Sequence, residues 1–375
     1  MTDAVEKVIS GESWVEFCDM LKSAGQLVLE NSADDELERA EGFRYLARLL
    51  AGALNDGIDP VPLNPPQLNY RKTRIGADNP DFKYGSIRIS GKAIYRISGK
   101  RNDAYNFNIG AFHGSLGSSQ GLQSTGFLNQ ADLFGQQGSA SADSCFEIIA
   151  SADKTALTQY ATTANAHWLA LCEASNSLII RQTLLNPRRD KASDITIDCL
   201  AGDLQAKSTV LTCERIDSSL GRAAFMVHGI SQQFLGWTRD FKQRPNTISE
   251  IKPELLGMAK GDPNCQYNYG YFDLLPKQAL RICLTPPQCE YWNIQLANHW
   301  LESLDNPDAI ASINNANAAV DDNGSVTVII SASDPGMDNW LDTQSHQRGV
   351  IALRWVGAAQ KQPDPVCALV NINEL

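Results

Sequence analysis

Apolar and polar positions change period along this chain, and each change marks a predicted element. Near the start Trp14, Phe17 and Leu21, then Leu27 and Leu29, recur at helical spacing, and a second run places Phe43, Leu46, Leu49, Leu50 and Leu54 among polar residues. A repeat near 3.6 gathers apolar side chains on one stripe, so the spacing predicts two amphipathic helices joined by an acidic turn over 31–38. Gly57 and Pro60, followed by Pro62, Pro65 and Pro66, end the second helix, because proline lacks the backbone N–H that would continue it.

From Tyr84 the period is two. Residues 86–98 alternate polar and apolar across Gly91, the pattern of a hairpin or bent strand with one wet face, and 106–112 continues it. Further strands are expected at 146–150, 168–171, 178–183, 195–199, 281–284, 325–331, 349–356 and 367–370. Residues 208–211 read as a strand or a helix start, and Phe225, Val227, Phe234 and Trp237 predict a helix over 221–241. The stretch 114–143, rich in Gly, Ser and Gln, reads as a long surface loop, either a lid or a disordered insertion. No internal repeat is visible. The pattern predicts an α+β chain, rich in antiparallel β-sandwich with an N-terminal helical segment. At 375 residues it exceeds what one core usually serves. The expected division is a helical segment 1–60, a mixed β-rich domain 61–245 and a C-terminal β-sandwich-like domain 246–375.

Charge narrows the partners. With 32 basic and 43 acidic side chains, the net charge of −11 repels phosphate backbones and anionic bilayers, so neither nucleic acid nor a membrane is expected. No stretch approaches the roughly 18–20 apolar residues of a membrane span, and the first residues carry no secretory signal pattern. Nine cysteines are scattered without paired short spacings, which suits reduced thiols and makes the cytoplasm the default location. A homo-oligomer is compatible with all of this.

Two polar clusters near the C-terminus carry the candidate chemistry. The first, over 291–305, crowds Tyr291, Trp292, Asn293, Gln295, Asn298, His299, Trp300, Glu302 and Asp305 together. In a helix His299 and Glu302 would share a face, and in a strand they would point apart. The functional reading makes His299 a proton-transferring imidazole tuned by Glu302 or Asp305, and the structural one makes it a buried histidine bonded to backbone. The second cluster has Asp334, Pro335 and Gly336 as turn residues, then Asn339, Trp340, Asp342, Thr343 and His346, and it closes on Arg354 and Trp355. Asp342 and His346 lie four apart, so the carboxylate could orient the imidazole or cap the segment that follows.

If the two clusters converge on one concave surface, the catalytic candidates are His299, His346, Glu302 and Asp342. Trp292, Trp300, Trp340 and Trp355 would then shape an apolar wall with Asn298 beside it, and Arg96 or Arg354 would take the polar or anionic end of a small-molecule ligand. Arg181, another strand arginine in an apolar run, joins Arg96 and Arg354 as either an anion binder or a structural ion-pair partner. His299, Glu302, Asp342 and His346 are also the only obvious metal ligands, but no HExxH pattern is present and no metal or other cofactor is expected. A Gly-x-Ser-x-Gly elbow and phosphate-cradling glycine loops are absent too.

These residues also form a signature. Tyr291-Trp292-x-x-Gln295-Leu296, Asn298-His299-Trp300-x-Glu302-Ser303-Leu304-Asp305, Asp334-Pro335-Gly336, Asn339-Trp340-Leu341-Asp342-Thr343, His346, Gly349 and Arg354-Trp355 resemble the C-terminal domain of a large, mostly bacterial family of unknown function. That domain often stands beside a companion domain of equally unknown function. Tyr95-Arg96-Ile97-Ser98-Gly99, Leu178-Ile179-Ile180-Arg181-Gln182 and Phe272-Asp273-Leu274 extend the resemblance over residues 70–360. It implies a β-sandwich-rich C-terminal half on a mixed N-terminal half, and no settled reaction. Departures are Gln344 and Ser345 ahead of His346, where small residues and glycine are familiar, and the segment 114–143. They bear on ligand identity more than on fold.

Two functions follow as expectations. One is a cofactor-independent acid–base enzyme acting on an apolar or aromatic substrate with a polar or anionic group. The alternative is a non-catalytic carbohydrate- or lipid-binding or assembly protein.

Overall fold

Three helices open the chain: α1 (Asp3–Ser10), α2 (Glu12–Asn31) and α3 (Glu36–Gly57). The computed structural model describes residues 2–58, 63–70, 73–116, 118, 120–135, 141–202, 210–257, 261–304, 306 and 308–375. Pro60, Pro62, Asp305, residues 208–209 and part of the 114–143 stretch lie outside the described residues. The buried stripes of α2 and α3 differ from the apolar spacing. Phe17, Leu27, Val28, Tyr45, Leu49 and Ala53 are buried, whereas Trp14 and Phe43 are 60% and 48% exposed. Tyr45 takes the core position because the polar stripe it belongs to, and not only the leucine stripe, faces protein.

The chain forms two compact units, the first comprising Met1–Leu21, Leu50–Thr73 and Asp81–Val227, the second Lys22–Leu49, Arg74–Pro80 and His228–Leu375. The units interleave along the chain and so do not run in consecutive blocks such as 1–60, 61–245 and 246–375.

Among the described residues of the first unit nine strands follow: β1 (Leu68–Tyr70), β2 (Phe82–Arg88), β3 (Ile94–Lys100), β4 (Asn106–Gly114), β5 (Leu122–Leu128), β6 (Cys145–Ser151), β7 (His167–Ala170), β8 (Ser177–Thr183) and β9 (Asp194–Ala201). Short helices α4 (Gln130–Phe134) and α5 (Thr155–Tyr160) sit between them. The Gly/Ser/Gln-rich stretch thus carries a strand and a helix, anchored by buried Leu122 and Leu133, where composition suggested only loop. The strands make a five-stranded sheet, β1-β2-β8-β4-β5, and a four-stranded sheet, β7-β6-β3-β9. Ile87, Tyr95, Ile97, Phe107, Ile109, Phe146, Ile148 and Ile180, drawn from both sheets, form one core between them.

Helix α6 (Cys213–Phe241) begins earlier than its apolar spacing suggests, and a second set of nine strands follows it. These are β10 (Ile248–Glu250), β11 (Cys265–Asp273), β12 (Gln278–Leu284), β13 (Tyr291–Ala297), β14 (Ser312–Asn314), β15 (Val326–Ser331), β16 (Trp340–Asp342), β17 (Arg348–Val356) and β18 (Val366–Asn371), with α7 (Pro253–Gly257) after β10. They form the sheets β10-β11-β17-β13-β14 and β16-β15-β12-β18. Phe272, Ile282, Trp292, Ile294, Val328, Leu353 and Trp355 fill the space between them. The fold is therefore α+β, with helices at the N-terminus and in the middle of the chain, and antiparallel-rich sheets making up most of the rest.

The strand orders of the two units are the same once nine is added to each number, down to the single parallel pairing, β6 with β7 and β15 with β16. This is a duplicated nine-stranded double sheet. It corrects the expectation of no internal repeat. Register carries the equivalence to residues. Trp168 and Trp340 occupy matching positions, and their indole N–H groups reach the Ser151 hydroxyl at 3.0 Å and the Ser331 carbonyl at 3.1 Å. The hydroxyls of those serines donate to carbonyls two residues on, Asp153 at 2.7 Å and Ser333 at 2.8 Å. Arg181 faces Asn108 and Tyr84 across its sheet, and Arg354 faces Asn293 and Tyr267. So few side chains are shared that the repeat lies in backbone topology, which hydropathy does not display.

Candidate functional site

The first polar cluster starts on β13 and continues past its end. The alternation of β13 sends Trp292, Ile294 and Leu296 into the sandwich core and Asn293 and Gln295 to the sheet's other face, which is also buried. Asn298 then reverses the chain. Its side-chain oxygen accepts the main-chain N–H groups of Trp300 at 3.0 Å and Glu302 at 3.1 Å, while Leu301 takes a positive φ of 60°. An isolated bridge between Ala297 and Ser303 closes the turn. Past β13 the cluster is therefore neither helix nor strand but a tight loop. Asn298, His299, Trp300 and Glu302 are all buried in it, and Asn298 is consumed in building it.

His299 and Glu302 turn to different partners. Nδ1 of His299 lies 2.9 Å from the Tyr271 hydroxyl and 3.8 Å from a Glu38 carboxylate oxygen, and the ring also bonds the main chain of Asn31. Burial, reinforced by the Lys242 charge, pushes the His299 pKa down to about 3. The ring is thus neutral across the physiological range and a weak base. Glu302 accepts from Arg48 Nη1 at 2.8 Å and from Asn298 Nδ2 at 3.4 Å, with Arg44 at 4.0 Å. Burial raises its pKa, and the Arg48 hydrogen bond and charge oppose that rise.

His346, from the second cluster, is held at both nitrogens. Nδ1 is 2.7 Å from the Thr343 carbonyl and Nε2 is 3.0 Å from Glu41. Burial alone would lower its pKa, but the Glu41 hydrogen bond and charge, with the Thr343 carbonyl, raise it overall. Asp342 does not orient it: the carboxylate accepts the main-chain N–H of Gln344 at 2.7 Å. That bond caps a turn in which Gln344 and Ser345 both have positive φ, 52° and 69°, the conformation that glycine adopts most easily.

Glu302 and His346 nevertheless meet the same helix. Arg44 bonds Glu41 at 2.9 Å, so the order Arg48–Glu302–Arg44–Glu41–His346 is continuous. Glu38, one turn earlier on α3, receives the Ala33 N–H at 2.7 Å and faces Arg348 at 3.9 Å. Glu38, Glu41, Tyr45 and Arg48 are spaced as one helical stripe. A charged stripe on an amphipathic helix reads as a solvated face, which is why these residues escaped the sequence reading. The buried Tyr45 within the stripe was the available signal.

The remaining candidates are packed or hydrogen-bonded within the protein. Trp292 and Trp355 pack against each other at 5.8 Å inside the sandwich, and so line no ligand wall. Trp300 stacks on Tyr45 at 6.4 Å and donates to the Glu38 carbonyl at 2.7 Å. Arg354 is buried and donates to Gln295 at 2.8 Å and to the Ala77 carbonyl. Residues 74–80 are tied over the same sheet face, with Asn79 bonding Tyr291 at 2.9 Å, and Asp78 bonding the N–H and hydroxyl of Ser303 at 3.0 and 2.9 Å. Arg96 belongs to the other unit. Its Nε meets Glu147 at 3.0 Å, and Glu147 also accepts from Thr162 and Thr163. Two open clefts of about 420 and 460 Å³ lie in the first unit, and neither is lined by a residue that the sequence singled out as a site residue. Among the described residues no group of three or more His, Cys, Asp or Glu side chains is disposed to hold a metal ion. No described helix is long and apolar enough to cross a membrane.

The chain belongs to a bacterial family of unknown function, as a relative matched over its whole length shows. Residues 277–360 match the domain described as "Protein of unknown function (DUF1214)". An uncharacterised protein from Burkholderia cenocepacia is 34% identical, with 99% of each chain covered and a TM-score of 0.87. The VPA0106 protein from Vibrio parahaemolyticus, 13% identical over 87% of this chain and 98% of that one at a TM-score of 0.51, shares the fold. No curated protein matches.

Proposed function

We propose that this protein binds a small molecule without converting it. The observation that carries this reading is that all four candidate proton-transferring side chains are committed to fixed partners: His299 to Tyr271, His346 to Glu41 and the Thr343 carbonyl, Glu302 to Arg48, and Asp342 to the Gln344 N–H. A general base must reach its substrate proton and titrate near the working pH. His299, with a pKa near 3, does neither task well. The network instead fixes α3 to the edge of the second double sheet, as buried charges do when each is paired. The ligand we have in mind is apolar or aromatic with a polar or anionic group. Nine unpaired cysteines favour a reducing compartment, and with it the cytoplasm.

The test is a metabolite panel read two ways, by thermal shift and by mass spectrometry of the recovered compound. A ligand that binds the native state raises the melting temperature. The expected result is a stabilising compound recovered unchanged. Consumption of that compound by the wild type but not by His346→Gln or Glu302→Gln would overturn the reading.

A further inference from the structure

We propose that β18 is the edge through which two copies of this chain pair, strand to strand, into a dimer. Ile372 donates its N–H to the Lys277 carbonyl at 2.9 Å, one residue past the pairing of Asn371 with Gln278. Bonds along an antiparallel pair alternate, so Val366, Ala368 and Val370 bond β12, and the N–H and C=O groups of Leu369 and Asn371 point away from the sheet. β18 ends the order β16-β15-β12-β18, and among the described residues no other strand pairs with it. Leu369 stands opposite Leu280, on the face that packs into the core, yet it is 47% exposed, and Val366 on the other face is 71% exposed. The sandwich is open at this edge.

An unpaired edge is a template for another strand, and sheets that stay monomeric guard it with charges, prolines or bulges. The duplication shows such a guard on the matching edge of the first unit. There Thr196, opposite Ser98, and Asp198, opposite Arg96, hold the register of Val366, opposite Cys283, and Ala368, opposite Arg281. Asp194 and Asp198 are exposed on β9, and its pairing with β3 is broken by a register shift at Ile94 and Tyr95. β18 has neither device: its pairing with β12 runs without a shift, and Val366 to Asn371 include no charge and no proline. The outward groups ask for a strand, and the same strand of a second copy, run antiparallel about a two-fold axis, sets outward N–H against outward C=O. Charge favours that partner, because copies of a chain of net charge −11 repel each other, and positions 366–373 carry no charged side chain to oppose. Residues of the second unit outside the described ones, 258–260, 305 and 307, are too few to cover the strand themselves.

The experiment measures the mass of the full-length protein by light scattering across a dilution series, together with amide hydrogen exchange, for the wild type, Leu369→Lys and Leu369→Pro. Leu369→Lys sets like charges together at the pairing edge, and Leu369→Pro removes an outward N–H that β12 does not use. Expected are a wild type with the mass of two chains and slow exchange at Leu369 and Asn371, and variants with the mass of one chain and fast exchange at Asn371. Far-UV circular dichroism matching the wild type shows each variant folded, and if one fails to fold the other carries the comparison. A wild type with the mass of one chain throughout the series overturns the proposal, whether its Leu369 amide exchanges fast, as at a bare edge, or slowly, as under a different occupant. A dimer that persists in the folded variants overturns it as well, because the copies then meet elsewhere.

Discussion

Lowering the pH should destabilise this protein through one residue in particular. His299 is 3% exposed, and its folded pKa is pushed down to about 3, so the native state declines a proton that the unfolded chain accepts near pH 6.5. Between those values the unfolded state binds more protons, and stability falls as pH falls. From pH 7.5 to 4.5 the loss from His299 alone is about 2.6 kcal/mol, given 1.36 kcal/mol per pH unit and an unfolded pKa of ~6.5. At pH 4.5 the folded pKa is already far below, so the figure is set by the unfolded value. Carboxylates titrate in the same window, and the comparison must cancel them. Urea unfolding of the wild type and His299→Gln at both pH values does so, because glutamine can still bond Tyr271 but takes no proton. The wild type should lose about 2.6 kcal/mol more than the variant over this interval. Equal losses in the two proteins would refute burial of a neutral imidazole at this position.

His346 should act with the opposite sign: its raised pKa contributes stability below pH 6.5 that is lost as pH rises through the folded value, so the difference between wild type and His346→Gln in urea should shrink at alkaline pH. Arg48→Ala strands the buried Glu302 carboxylate and should cost about 3 kcal/mol by urea unfolding, with Arg48→Met/Glu302→Gln recovering most of it. Gly42→Ala, which in an exposed helix would stabilise by ~1 kcal/mol, should here destabilise by about 1–2 kcal/mol, because the added Cβ would stand 2.6 Å from both Trp300 and Val28. Ser345→Gly should raise stability by about 0.5 kcal/mol, relief of a left-handed conformation outweighing added chain entropy, and an unchanged or lower urea midpoint would count against strain there.

How much of this was legible in the sequence depends on what each signal measures. Period-two alternation reports a strand with two different faces, and it located β2 and β3, while runs of β-branched and other apolar residues located β8, β12, β15 and β17. It could not separate Asn293 and Gln295 from a solvated face, since a polar side chain looks the same whether water or Arg354 satisfies it. The tryptophans misled for a related reason. Trp292 and Trp355 read as a binding wall because aromatic density marks cores and sites alike, and here they are cross-strand core neighbours. The polar stripe of α3 was invisible because its partners, Glu302 and His346, lie more than 250 residues away in the chain. Glycine's familiarity near 344–345 was the one signal that foretold geometry, since both residues adopt positive φ. The duplication left no trace in hydropathy because strand order and register persisted while side chains diverged.

The claim that these histidines are structural members and not proton carriers can be measured directly by titrating their imidazole nitrogens with NMR on the ¹⁵N-labelled protein. The account predicts that His299 stays neutral down to pH 4 and that His346 is still protonated above pH 6.5. An imidazole at either position titrating freely near 6.5 would contradict it and return that residue to the list of catalytic candidates.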